Sequence, residues 1–255
     1  MKISIIIVNY NTPDLVYSCL QSIIDHVSVP HEIILVDNAS VNPPDPAKLP
    51  TDVMYLPLVR NVGFGGGNNA GSKLATGEYL WFLNSDTVLA DESYSKLTDF
   101  LDHNFDYAVA SPLLFLDTRC QKLQSDFYAY FQSFRTLLTR NVRPKLDLSQ
   151  SFQPVDLVVG AALMIRRLRF EEINGFDEQI FMYMEDDDLC YRAGRVAVVT
   201  GASMIHLQGS SISVDSERKR LYYASQNYFW RKHYGLSKSI LMRLLRAPFV
   251  AIRRG

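Results

Sequence analysis

Asn84-Ser85-Asp86 closes the apolar run Tyr79-Leu80-Trp81-Phe82-Leu83. Such a run reads as a strand buried on both faces in the middle of a parallel sheet. Ligands of open α/β sheets bind at the carboxyl ends of strands, so Asp86 is placed to hold a metal ion or a ligand. The same residue types also serve plain strand-to-turn junctions. Glu185-Asp186-Asp187-Asp188 sets four carboxylates side by side. One or two acids at a helix start complement its dipole. Four adjacent ones repel, so some are held by a metal or have raised pKa values, and a raised pKa suits a general base. His206 follows another apolar strand and precedes Leu207-Gln208-Gly209-Ser210-Ser211. A lone His at a strand end is more often structural or exposed, but imidazole with carboxylate is a reasonable site for a divalent ion.

Two further strand ends are polar, Asn9-Tyr10-Asn11 and Asp37-Asn38-Ala39-Ser40. In a parallel sheet they share one rim with Asn84 to Asp86. Side chains of Asn and Asp on that rim could bind the base edge and ribose hydroxyls of a nucleoside, while Asp37 to Ser40 alone also fits an Asx turn. Gly65-Gly66-Gly67-Asn68-Asn69-Ala70 satisfies the dinucleotide fingerprint G-x-G-x-x-A, with Asp86 at about the spacing of the ribose-binding acid. That fingerprint belongs after the first strand of a βαβ unit. Here the glycines come after the third strand, so an NAD-dependent oxidoreductase is the alternative, not the first choice. The chain has no G-x-S-x-G elbow, H-E-x-x-H or P-loop.

The elements that must position these residues follow from periodicity and punctuation. A β-branched strand spans 3–8, and Thr12 N-caps a helix with Pro13 at its first position. Strands over 32–36 and 53–58 come next. The glycines form a tight loop opening a helix that Gly77 ends, and the strand 79–83 follows. Asp91 N-caps a helix carrying Tyr94, Leu97 and Leu101, and 107–110 is a strand. Residues 112–156, aromatic and basic without a firm period, form a long excursion over the site. The apolar stretch 157–165 contains Gly160-Ala161-Ala162; short helices end at Gly175 and Gly194; 196–199 and 203–206 are two late strands. From Glu217 onward the spacing is helical.

The chain has 255 residues and a formal net charge of −1, which points to no nucleic acid or acidic partner. Cys19, Cys120 and Cys190 are odd in number and far apart, which suits a reducing cytosol. The first apolar run, Ile3 to Val8, is too short for a signal-peptide core, and no run approaches the length of a membrane span. The expectation is a cytoplasmic protein. An ending in Arg253-Arg254-Gly255 is also compatible with a truncated chain.

In order along the chain, Ser4-Ile5-Ile6-Ile7-Val8-Asn9-Tyr10-Asn11, Val36 to Ser40, Arg60-Asn61-Val62-Gly63-Phe64-Gly65 through Asn68, Leu83 to Thr87, Gly160 to Arg166, Gly175-Phe176-Asp177-Glu178, Glu185 to Arg192 and His206 match one pattern. The sequence resembles the family 2 glycosyltransferases of GT-A fold, in particular the rhamnosyltransferase-like group, over roughly residues 3 to 235. The resemblance implies an α/β fold with a Rossmann-like, mostly parallel central sheet flanked by helices. It implies a catalytic domain over 1–216, with the nucleotide-sugar in 1–110 and the acceptor side and base in 111–216, and a C-terminal helical segment over 217–255. Donor contacts fall to Val8, Asn9, Tyr10, Asn11, Asp37, Asn38, Ser40, Asn61, Gly65, Asn68, Asn84 and Ser85, with Asp37 on base or ribose. Asn84-Ser85-Asp86 looks like the family's D-x-D motif, in which Asp86, with His206, holds Mg2+ or Mn2+ on the diphosphate. Asn84 departs from that motif by replacing its first Asp. Glu185-Asp186 resembles the acidic pair that supplies the base, Asp186 being the choice of the two.

The implied reaction is a single inverting displacement. The donor leans toward dTDP-L-rhamnose, with UDP-sugars open, and the acceptor is a glycan or a lipid-linked, growing surface polysaccharide. A catalytically silent nucleotide-sugar binding module is the second alternative, motivated by Asn84. Phe127, Tyr128, Tyr130, Phe131 and Arg135 line the acceptor side or belong to the core. Ile240, Leu241, Leu244, Leu245 and Val250 alternate with Lys238, Arg243, Arg246, Arg253 and Arg254. That basic amphipathic pattern over 238–254, kinked at Pro248, fits the inner surface of the cell membrane or packing on the catalytic domain or a partner.

Overall fold

A computed structural model of the chain describes residues 3–92, 94–139, 143–207 and 215–252. The strands are β1 (Ile3–Asn9), β2 (His31–Asp37), β3 (Val53–Pro57), β4 (Tyr79–Asn84), β5 (Thr87–Leu89), β6 (Tyr107–Phe115), β7 (Tyr128–Ala129), β8 (Phe152–Val155), β9 (Leu157–Val158), β10 (Ala162–Arg166) and β11 (Arg195–His206). The helices are α1 (Pro13–His26), α2 (Gly63–Ser72), α3 (Tyr94–His103), α4 (Phe134–Thr139), α5 (Arg167–Glu172), α6 (Glu185–Ala193), α7 (Asp215–Tyr234) and α8 (Leu236–Ile252).

The main sheet runs β3-β2-β1-β4-β10-β6-β11-β5, with β8 also paired to β11. β3, β2, β1 and β4 are mutually parallel; β10 lies antiparallel between β4 and β6; β11 is parallel to β6. Six of the nine strands therefore share one direction, and β10, β5 and β8 oppose them. The mostly parallel sheet with flanking helices is the expected fold. β1 and β4 are buried along almost their whole length because both faces are covered, which is why they read as unbroken apolar runs. α2 packs on β1 and β2, and α3 on β6 and β11.

Several expected elements differ. The glycine run is a helix, α2, not a loop. It approaches the sheet so closely that a Cβ on Gly67 would stand 2.9 Å from Val8 Cγ1, and one on Gly71 2.7 Å from Ile6 Cγ2. α2 ends at Ser72, so Gly77 is not its cap; the Gly77 N–H donates instead to Ser4 Oγ and Glu32 Oε1. α3 begins at Tyr94, past the expected cap Asp91. The two late strands are one, β11, with a register shift between Val199 and Ser203. Val199 faces Pro112 of β6, which has no N–H for the ladder, so the strand bulges there rather than stopping. The 112–156 stretch is partly sheet: it finishes β6 and supplies β8. Phe127 and Tyr128 are core, Phe131 is half-buried against Tyr191, and Tyr130 and Arg135 are exposed.

α7 and α8 pack together and close a second apolar cluster of Met184, Phe229, Trp230 and Met242. α7 opens at Asp215. Arg253-Arg254-Gly255, and Gln208 to Ser211 after His206, lie outside the described residues.

Candidate active site

The strand ends form a closed web of hydrogen bonds around one carboxylate, Asp37. The last residue of β1, Asn9, is fully buried, and its Nδ2 donates to Asp37 Oδ1 at 2.7 Å and Ser40 Oγ at 3.1 Å. Its Oδ1 accepts from the Thr12 amide and hydroxyl. Thr12, expected as a cap, holds the N-cap position of α1 without capping it through its side chain. Its hydroxyl lies 2.9 Å from Ser85 Oγ and so ties β1 to the end of β4. Asp37 is buried, and its second oxygen accepts from the Ser40 amide. Asn11, exposed and with φ at 60°, donates its amide to Ser40 Oγ and accepts from Val41 and Asn42. Asn9, Asn11, Asp37, Ser40 and Ser85 thus converge, with Val8 and half-buried Tyr10 beside them.

Asn38 and Asn61 serve the start of α2. Asn38 Nδ2 donates to Asn61 Oδ1 and Gly63 O, and its Oδ1 accepts from Val62. Gly63 (φ 80°) turns the chain there, where a Cβ would fall 2.1 Å from Phe181 O. The amides of Gly63 and Phe64 donate to Asn61 Oδ1 and Phe181 O. Those donors would have to cradle a pyrophosphate in the dinucleotide reading. Gly65 is buried inside α2, its Cα side pressed on Phe176. Asn68 is buried too; its Nδ2 donates to Phe64 O and its Oδ1 has no partner among the described residues.

Asp86 and His206 meet where β5 and the end of β11 pair. Both are buried, with His206 Nε2 3.3 Å from Asp86 Oδ1. His206 Nδ1 lies 2.8 Å from Gln124 Oε1, an oxygen that can only accept. That bond places a ring proton on Nδ1 and turns Nε2 toward Asp86 Oδ1. Nε2 and the carboxylate oxygen at this separation call for a cation or a proton between them. Two ligand atoms each about 2.1 Å from one divalent ion can stand roughly 3 Å apart, so the pair fits such an ion. Among the described residues no group of three or more His, Cys, Asp and Glu gathers to hold a metal, so further oxygens have to come from the ligand. Gln124, buried and bonded through its backbone N–H to Leu114 O, escaped the sequence reading because a lone Gln carries no spacing signal.

The end that carries the acidic cluster is built differently. Asn84, at the end of β4, donates its amide to Ala161 O at 3.0 Å, and the neighbouring Gly160 amide donates to Asp186 Oδ2 at 3.0 Å. Consecutive residues of one bend therefore hold the end of the D-x-D-like stretch and the candidate base. Asp186 Oδ1 also accepts from the Asp187 amide. Burial raises the pKa of Asp186, while these backbone amides pull it back down. Burial, with the Asp186 charge as the next cause, pushes Glu185 and Asp187 well above the usual carboxylate range. Glu185 Oε2 is buried without a partner among the described residues. All three are raised, Asp186 least because of its backbone donors, so of the three Asp186 is the carboxylate best held as an anion.

α6 starts from a strained turn, Tyr183 (φ 66°) and Met184 (φ 68°). Two successive non-glycine residues in the left-handed region cost about 1 to 3 kcal/mol each. α7 holds them there: Met184 is buried against Phe229 and Trp230, and Ser225 Oγ donates to Met182 O. Asp188, with no exposure, accepts from Arg192, Lys232 Nζ (2.7 Å) and His233 Nε2 (2.7 Å), and Lys232 also bonds Asp177. The fourth acid of the cluster is thus an anchor to α7.

Fold and site together define a GT-A-type α/β protein. A solved structure described as GalNAc-T7 with UDP, GalNAc and Mn2+ superposes with a TM-score of 0.65 at 16% identity, covering 97% of this chain and 54% of that one. The family model for glycosyl transferase family 2 matches residues 4–172, and the chain belongs to that family. Among its relatives, the low-salt glycan biosynthesis hexosyltransferase Agl10 of Haloferax volcanii is 26% identical over 93% of this chain and 78% of its own length. Rhamnosyltransferase WbbL of Escherichia coli is 29% identical over 53% of this chain and 56% of its own. An N-acetylglucosaminyl-diphospho-decaprenol L-rhamnosyltransferase of Mycobacterium tuberculosis is 39% identical over 27% of this chain and 24% of its own.

Proposed function

We propose that the protein is an inverting glycosyltransferase that moves a hexosyl residue, L-rhamnose from dTDP-rhamnose or a sugar from a UDP donor, to a hydroxyl of a glycan or lipid-linked acceptor in surface polysaccharide synthesis. The observation that carries this reading is the Gly160-Ala161 bend, which fastens the Asn84 strand end and the Asp186 carboxylate through adjacent residues. A leaving diphosphate beside Ser85 and Asp86 would then have an ionised base close by.

In this reading the web of Asn9, Asp37, Ser40 and Ser85 shapes the nucleotide side, and Asp37 meets base or ribose with lone pairs its internal bonds leave over. Asn38, Asn61, Gly65 and Asn68 act from behind, by fixing α2. Asp86 and His206 would hold Mg2+ or Mn2+; when bound, the ion supplies Lewis-acid stabilisation to the charge that builds on the diphosphate. Asp186 takes the proton of the acceptor hydroxyl as its oxygen attacks the anomeric carbon. Asp186 gives the single displacement its base, and no carboxylate nucleophile is required, so the configuration inverts. The catalytic domain spans 1–216 and the helical segment 217–255 supports its base. The protein works in the cytoplasm, at the inner face of the membrane. Asn84 favours one second reading, a silent binding module.

Calorimetric titration with UDP, dTDP and GDP, with and without Mn2+, tests the proposal. Metal-dependent binding of one of them is expected, and binding of none would overturn it. Binding without transfer or donor hydrolysis across an acceptor panel would select the silent module.

A further inference from the structure

The outer face of α8 takes no part in the site. Its inner face is committed to α7: Met242 sits in the cluster with Phe229 and Trp230, and Ser239 Oγ donates to Asn227 O. Arg246 donates to Asn227 Oδ1 and lies 4.4 Å over the Tyr223 ring. The outer face carries Leu236 (59% exposed), Ile240 (47%) and Leu244 (66%) at i, i+4 and i+8, with Leu241 (46%) beside them. Lys238 and Arg243, also exposed, flank this stripe. Four large aliphatic side chains left in water on one helix mark a surface that is covered in use.

Charge says what covers it. Glu217 is the last acidic residue; ten Lys and Arg follow it and no Asp or Glu. With 26 basic and 27 acidic residues in the whole chain, the first 217 positions carry net −11 and the last 38 net +10. A stripe of leucines and isoleucine rimmed by cations, in a segment free of carboxylates, matches an anionic bilayer surface: acyl chains take the stripe and lipid phosphates the rim. A nucleic acid would use the cations but leave the stripe wet. A span is excluded for the described helices, none of which is long and apolar enough to cross a membrane.

We infer that α8 lies in the plane of an anionic phospholipid surface, with Leu236, Ile240, Leu241 and Leu244 inserted and Lys238 and Arg243 on the phosphates. The inference deepens the proposed function, on which it rests for its purpose of meeting a lipid-linked acceptor, but the contact itself does not depend on transfer.

Co-sedimentation of the full chain with vesicles tests it. Wild type should pellet with vesicles in which about a third of the lipid is phosphatidylglycerol and stay in solution with phosphatidylcholine alone. The pair Ile240→Asp and Leu244→Asp should weaken binding by more than about tenfold at low and moderate salt. The pair Lys238→Glu and Arg243→Glu should weaken it mainly at low salt. Both pairs lie on the outer face, so melting and nucleotide titration should match wild type; failure of nucleotide binding in wild type would count against the enzyme reading alone. Wild type that ignores anionic vesicles, or an aspartate pair that pellets like wild type, overturns the inference. So does wild type shifting an RNA while leaving vesicles unbound, or the aspartate pair changing only the oligomeric mass.

Discussion

The two halves of the site are stabilised by opposite means. At the β1, β2 and β4 ends, donors and acceptors satisfy one another around a single carboxylate: Asn9, Thr12, Asp37, Ser40 and Ser85 form one web. At the start of α6, carboxylates crowd together and one oxygen of Glu185 is buried with no partner among the described residues. Left-handed non-glycine backbone occurs in both halves, at Asn11 and Ala39 on the rim and at Tyr183 and Met184 before α6. A nucleotide side made of paired groups is a rigid mould. A base side made of crowded acids works against folding and persists because α7 clamps it. In the proposed function, reactivity would sit where buried acids crowd, and recognition where polar groups are paired.

The comparison breaks most sharply at Asp186. Asp186→Asn keeps size and hydrogen bonding but loses the proton acceptor, so transfer should fall by about two to four orders of magnitude. Nucleotide affinity, measured by calorimetry, should stay within a factor of about two, since the base meets the acceptor rather than the diphosphate. Normal transfer by this variant with a dead Glu185→Gln would hand the role to Glu185.

Asp188 probes the clamp. Asp188→Asn removes the buried anion between Arg192, Lys232 and His233 and should destabilise by about 3 kcal/mol in chemical denaturation. Lys232 keeps its bond to Asp177, so part of the tie survives. The rate should fall more than the donor affinity does, because α6 and not the strand rim loses its support.

Asn9→Ala probes the quiet half. Losing the amide strands Asp37 and Thr12, for about 1 to 2 kcal/mol of stability. Here the nucleotide affinity should suffer and the pH profile of transfer should not move.

The smallest effect has the clearest sign. Glu185 has its pKa raised in the folded chain by burial and by the Asp186 charge. The folded state then binds this proton more tightly than the unfolded state. Stability from this group is full below the ordinary carboxylate range and is lost as the pH climbs through it toward the raised folded value. Glu185→Gln should therefore stabilise the fold by about 1 kcal/mol at pH 7, and the gain should vanish in acid. Melting curves at the two pH values check it.

Much of this architecture was legible in the chain. β1, β2 and β4 announced themselves as apolar runs because both faces are buried, and their polar ends marked the rim. The acidic start of α6 and its stop at Gly194 were equally plain, since a run of acids and a positive-φ glycine are local signals. What stayed hidden was set by tertiary contact. The insertion of β10 between β4 and β6 leaves no mark on either run. α2 looked like a loop because glycines usually break helices, whereas here the absent side chains let the helix lie on Ile6 and Val8. Thr12 read as a cap and is a strut to Ser85. Asp188 read as one more acid of four, because the donors that make it an anchor lie some forty residues away, at Lys232 and His233.

The central claim is that donor and base functions are separate although one bend joins them. The direct test is Mn2+-dependent titration of the nucleotide into wild type, Asp86→Asn and Asp186→Asn, with transfer rates on the same samples. Asp86→Asn should bind nucleotide more weakly, lose rate with it, and recover in part as Mn2+ is raised. Asp186→Asn should bind like wild type and stay slow at every Mn2+ concentration. Normal transfer by both variants, or Mn2+ rescue of Asp186→Asn alone, would contradict the account.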